Sequence, residues 1–111
     1  MDEQVVGPEL VLNTDRSGPA ATVSVQGELD AYTAPSLEDH IEHLLGDGVG
    51  QLTLNLSQTG FLDSSGLRAL LTVHRKLEGS GGRLELRDAS EPVVRLLEIT
   101  GLREHFGLPA S

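Results

Sequence analysis

Two periods run through the chain. Apolar residues alternate with polar ones in short runs, and between those runs they recur every three or four positions; the first pattern predicts strands and the second helices. Ala21, Val23 and Val25 alternate with Thr22, Ser24 and Gln26, which predicts a half-buried strand over residues 21–27. ELVLN at 9–13 is a shorter apolar strand, and TDRSGP at 14–19 supplies turn formers between the two, so the pair reads as an antiparallel hairpin. Residues 1–7 carry neither period and read as a loose tail, leaving 9–108 as the folded core. Thr33 is placed to cap a helix with Pro35 and Ser36 in its first turn. Leu37, Ile41, Leu44 and Leu45 form its apolar face, Asp39, His40, Glu42 and His43 the other, and Gly46 and Gly48 end it. Leu52, Leu54 and Leu56 mark the next strand, and SQTGFLD reads as a loop into a second helix whose inner face is Leu67, Leu70, Leu71, His74 and Leu77. GSGG stops that helix. RLELR is another alternating strand, and Ser90 with Pro92 opens a third helix carrying Val93, Val94, Leu96, Leu97 and Ile99. Gly101 is its C-cap, and residues 102–108 form a short closing segment.

The order is β-β-α-β-α-β-α. Strands joined by helices of this length make right-handed parallel crossovers. The expected fold class is therefore α/β: one domain over residues 1–111, with a mixed sheet of four to five strands and three to four helices. The N-terminal hairpin is antiparallel and the later strands parallel.

Composition narrows the function. A chain of 111 residues suits one domain. With 3% aromatics its core must be aliphatic. A net charge of −9 argues against nucleic acid and anionic membrane partners, both of which select for basic patches. The absence of cysteine excludes disulfides and thiolate chemistry. No apolar run approaches the roughly 20 residues of a membrane span, and MDEQVVGPEL lacks the basic start of a secretory signal. A cytoplasmic location is expected.

The most chemically suggestive stretch is Asp63-Ser64-Ser65-Gly66 at the start of the second helix. Asp63 is the natural N-cap. On a helical wheel set by Leu67, Leu70, Leu71, His74 and Leu77, Ser65 points to solvent and Ser64 lies about 80–90° from the buried direction. Gly66 leaves the backbone bare, which suits close approach of another surface. A serine hydroxyl here can cap the helix, accept a phosphate favoured by the helix start, or act as a nucleophile. The histidines do not favour the last use. His74 lies on the apolar face and reads as a packed core residue, while His40 and His43 form an i, i+3 pair on a solvated face. No third ligand accompanies that pair, so no metal site is expected. Neither a G-x-S-x-G elbow nor a Gly-rich phosphate loop is present.

LNLSQTGFLDSSGLRALL (54–71) closely resembles the signature of the STAS domain and, within that family, of bacterial anti-sigma factor antagonists. GELDAYTAP (27–35) and GGRLELRDASEPVVRLLEITGLREHF (81–106) resemble two further blocks of the family in the same order, so the likeness spans about residues 9–108. The resemblance implies a protein-binding switch with no enzymatic activity and no cofactor. Such a protein binds an anti-sigma factor that is also a serine kinase, and binding frees the sigma factor. The kinase, using its own ATP and Mg²⁺, phosphorylates the second serine of the motif, which maps onto Ser65. Phosphorylation releases the partner and a serine phosphatase resets the switch. Asp30 and Asp63 match acidic positions near the acceptor. The implied binding surface is Asp30, Asp63, Ser64, Ser65, Gly66 and Arg68. Two other readings stay open: a non-switching STAS scaffold or transport-accessory module, and a small serine-dependent hydrolase.

Overall fold

The computed structural model describes residues 2–6 and 9–108. Nine elements follow one another: β1 (Asp2–Val6), β2 (Leu10–Ser17), β3 (Ala20–Leu29), α1 (Ala34–Gly46), β4 (Gln51–Asn55), β5 (Thr59–Leu62), α2 (Ser64–Gly79), β6 (Arg83–Arg87) and α3 (Glu91–Thr100). Five strands lie in the order β1-β2-β3-β4-β6, and β5 joins the sheet through β3. The first two pairings are antiparallel and the rest parallel, giving the mixed α/β sheet read from the periodicity.

Two strands depart from that reading. Residues 2–6, expected within a loose tail, form β1 and pair with β2 from Asp2 opposite Asp15 to Val6 opposite Val11. Met1 and Gly7 lie outside the described residues. The loop expected at 57–63 contains β5, which is four residues long and includes Gly60. The sheet thus has six strands rather than four or five, and the described helices number three.

The strand β3 explains why the sheet holds a functional corner at one end. Its first half, Ala20–Ser24, pairs with β4, and its last residues, Gly27–Leu29, pair with β5. The register shifts between Gly27 and Glu28, where Gly27 has φ +119° and Glu28 N donates to Glu9 O at 3.1 Å. A Cβ on Gly27 would collide with the Glu9 carbonyl, so only glycine allows this crossing. Buried Thr59 closes the junction by donating its hydroxyl to Val25 O at 2.8 Å.

One face of the sheet carries Leu10, Leu12, Val23, Val25, Leu52, Leu54, Leu84 and Leu86, and these merge with the apolar stripes of the helices into one aliphatic core. The helix α1 contributes Leu37, Ile41 and Leu44 together with His40. That histidine was expected on a solvated face, yet it is buried with Nε2 2.7 Å from Thr14 Oγ1. The stripe 37-40-41-44 follows the i, i+3, i+4 rule more closely than one through Leu45, which is only half-buried. His43 does face solvent. In α2 the buried residue of the third turn is Val73; His74 sits beside it, half-buried, stacked near His105 and Phe106 and 3.3 Å from Glu78.

Candidate functional site

The site is built where β3, β5 and the start of α2 meet. Asp63 ends β5 and caps α2. Its backbone is extended, at φ −108° and ψ −171°, and Oδ1 accepts from Ser65 N at 2.9 Å and Gly66 N at 3.0 Å. Asp63 N donates to Leu29 O at 3.3 Å, tying the helix start to the end of β3. A carboxylate at this position is favoured by the helix dipole, which is why Asp63 behaves as expected.

Gly66 is buried directly against that junction. A Cβ there would clash with the Leu29 carbonyl and approach Leu62 Cδ1 to 2.5 Å. The bare backbone expected to admit a partner instead admits the protein's own strand end. Gly66 therefore sets the height of the helix start over the sheet, and its lack of a side chain is accounted for within the chain.

The two serines are also placed differently from the wheel. Ser64 is exposed and Ser65 half-buried. The cause is the true buried stripe, Gly66, Leu67, Ala69, Leu70, Val73 and Leu77. Counted from its centre at about 100° per residue, Ser64 lies about 150° away and Ser65 about 110°. Ser65 thus lies closer to the buried face than Ser64 does. Its hydroxyl has no hydrogen-bond partner among the described residues, yet it is not sealed from solvent. Arg68, one turn on, is exposed and makes no ion pair among the described residues.

Asp30 stands across the Leu29 junction. Its Oδ1 accepts from Tyr32 N at 2.9 Å and Thr33 N at 3.1 Å, an Asx turn that leads into α1. Thr33, expected as a side-chain cap, spends its hydroxyl elsewhere: it donates to Glu28 O at 2.7 Å and accepts from Asp30 N at 3.0 Å. Carboxylate oxygens of Glu9, Glu28 and Asp30 all come within 4.8 Å of one another. Glu9 and Glu28 are exposed and Asp30 half-buried, at the end of β3 to which the helix start is tied through Asp63 N and Leu29 O.

Asp30, Asp63, Ser64 and Ser65 are thus brought to one corner, with Arg68 a turn along the helix. Two residues there escaped sequence reasoning. Tyr32 is 91% exposed and Phe61 46% exposed. The chain has only three aromatic residues outside histidine. That two of them fall in Gly/Asp-rich segments, outside any alternating run, was the available signal. Exposed aromatics beside a polar corner are typical anchors of protein interfaces.

Comparison with known proteins agrees with this architecture. A family model described as "Mlab, STAS domain" matches residues 12–109. The anti-sigma-B factor antagonist of Bacillus subtilis (strain 168) is 33% identical over 89 residues, which is 80% of this chain and 81% of that protein. The anti-sigma-B factor antagonist of Staphylococcus aureus (strain NCTC 8325 / PS 47) is 35% identical over 82 residues, 74% of this chain and 76% of that one. A crystal structure of an anti-sigma factor antagonist from Mycobacterium paratuberculosis superposes with a TM-score of 0.79 at 31% identity, covering 96% and 92% of the two chains. The chain belongs to the STAS domain family. No described helix is long and apolar enough to cross a membrane.

Proposed function

We propose that this protein is an anti-sigma factor antagonist that acts in the cytoplasm. It binds an anti-sigma factor serine kinase through the Asp30 turn and the start of α2, and phosphorylation of Ser65 releases that partner. A serine phosphatase restores binding. The names of the relatives at 33% and 35% identity support the class. The observation that carries the switch is the state of Ser65: a half-buried residue at the start of α2 whose hydroxyl has no hydrogen-bond partner among the described residues, next to the capping carboxylate of Asp63.

The physics follows from the capping geometry. A phosphate at a helix start usually gains free backbone N–H groups. Here Asp63 already accepts from Ser65 N and Gly66 N. A phosphate on Ser65 is left without those donors and adds about −1.5 to −2 charges next to Asp63 and Asp30. Arg68 at i+3 is the one nearby cation on the helix able to offset it. The modified side chain therefore projects outward as bulk and charge. In a tight interface that costs a few kcal/mol, or about two decades of affinity.

Phosphopeptide mass spectrometry on the protein isolated from growing and stressed host cells tests the reading. Phosphate on Ser65 whose occupancy changes with conditions is expected. An unmodified Ser65 under every condition contradicts the switch and favours a binding module that does not switch.

A further inference from the structure

An apolar groove runs between β5 and α3, next to the serine corner. Phe61 and Leu62 form one wall, and Pro92, Leu96 and Ile99 the other, around a cavity of about 440 Å³. Ile99 is 74% exposed, on a side of α3 turned away from the buried Val93 and Leu97, and Phe61 is 46% exposed. Among the described residues the large exposed hydrophobics are Val6, Tyr32, Phe61 and Ile99, and the last two face one groove. Isolated exposed apolar residues are common, but a mostly apolar trough, here with Glu91 and Arg95 on its α3 wall, is a mark of an interaction site.

We propose that this groove is a second docking element for the same anti-sigma factor kinase, receiving an apolar side chain that lies next to a lysine or arginine of that partner. The inference rests on the function proposed above and adds to it a part of the interface that phosphate does not gate. Two features favour this occupant over a second copy of the chain. The first is continuity. Phe61 is two residues from the Asp63 cap, and Asp63 leads directly into Ser64 and Ser65. A partner large enough to cover Ser65 covers Phe61 as well. The second is charge. Phe61 is the cross-strand neighbour of Glu28, which belongs to the Glu9, Glu28 and Asp30 carboxylate group. The cation on the groove wall, Arg95, is already paired with Glu91 at 3.1 Å. Such a rim attracts a basic partner, whereas two copies each carrying −9 repel.

The consequence is a divided interface. The Ser65 corner responds to phosphate, and the groove contributes a fixed share of the affinity in both states, so that release depends on the corner alone. A groove contact of this kind acts as an anchor of the sort that dominates interface energetics.

The test uses the full chain and the host kinase that transfers phosphate from ATP to Ser65, purified, with binding measured by titration calorimetry. Three variants are compared: Ile99→Asp, Ser65→Glu and the double substitution. Ile99 is exposed, so Ile99→Asp is expected to fold, and its melting temperature checks that. Phe61→Ala provides a second probe of the groove. The proposal expects Ile99→Asp to weaken binding about tenfold or more, with a loss of similar size in the Ser65→Glu background. Wild-type affinity in Ile99→Asp and Phe61→Ala, with Ser65→Glu still weakened, overturns the groove and leaves the switch intact. Loss in Ile99→Asp with no effect of Ser65→Glu keeps the groove and overturns the switch. If sedimentation shows a wild-type dimer that Ile99→Asp dissociates, the occupant is a second copy and the proposal is wrong. If the kinase does not bind the wild-type chain, both fall.

Discussion

The two ends of α2 are fixed by the same device and left in opposite states. At each end a glycine lets one backbone touch another. Gly66 lies under the Leu29 carbonyl, and Gly82 lies under the Gly50 carbonyl, where a Cβ would clash in the same way. At the C-terminal end the remaining polar groups are consumed locally. Gly82 N donates to Leu77 O at 2.7 Å, Gly81 N to Glu78 O at 3.1 Å and the Ser80 hydroxyl to Leu77 O at 2.9 Å. The rings of His74, His105 and Phe106 pack over that end. At the N-terminal end Asp63 satisfies two amides, and the hydroxyl of Ser65 is left over. Close backbone approach makes a rigid seat at either end. Only the N-terminal end has an unspent hydroxyl, the group that the proposed switch requires.

Substitutions at each end sharpen the contrast. The largest expected effect is structural: Phe106→Ala removes a buried ring from the closed end and costs about 3–4 kcal/mol in urea unfolding, with Ser65 phosphorylation unchanged in the folded protein. Gly66→Ala and Gly82→Ala come next. Each forces a Cβ into a carbonyl and costs about 2–3 kcal/mol. They separate in function, because only Gly66→Ala shifts the helix start, and so only it slows phosphorylation of Ser65 by the kinase below the melting range. Equal phosphorylation of the two variants breaks the comparison. The smallest effect belongs to Asp63→Ala, which removes the cap at about 1 kcal/mol. That change also frees Ser65 N and Gly66 N to bind the phosphate, so phosphorylation of this variant weakens partner binding less than in wild type. Calorimetry on the two phosphorylated forms measures the difference.

Much of the scaffold is visible in the residue pattern, because burial on one face imposes a period that survives any detail of packing. Leu52 and Leu54, Leu84 and Leu86, and the stripes of the three helices all obey it. What the pattern hides has physical causes. In β1 the strand DEQVV lies at an edge and begins with two acids, and edge strands need no apolar alternation. In β5 four residues include a glycine, too few to show a period. The family motif pointed to the candidate corner, but the wheel reversed the exposure of Ser64 and Ser65 because Leu71 and His74 were taken as part of the buried face. Leu67, Leu70 and Leu77 do lie on it, but Gly66, Ala69 and Val73 complete it in place of Leu71 and His74. Likewise His40 is polar in sequence and buried in fact, its partner Thr14 lying 26 residues away on β2, beyond the reach of any local pattern.

The proposed switch requires that phosphate on Ser65 lower the affinity for the kinase. The most direct measurement is a calorimetric titration of the kinase with the unmodified chain and with the chain phosphorylated at Ser65, at the same salt concentration. The account predicts binding at least about a hundredfold weaker for the phosphorylated form. Equal affinity for the two forms contradicts it.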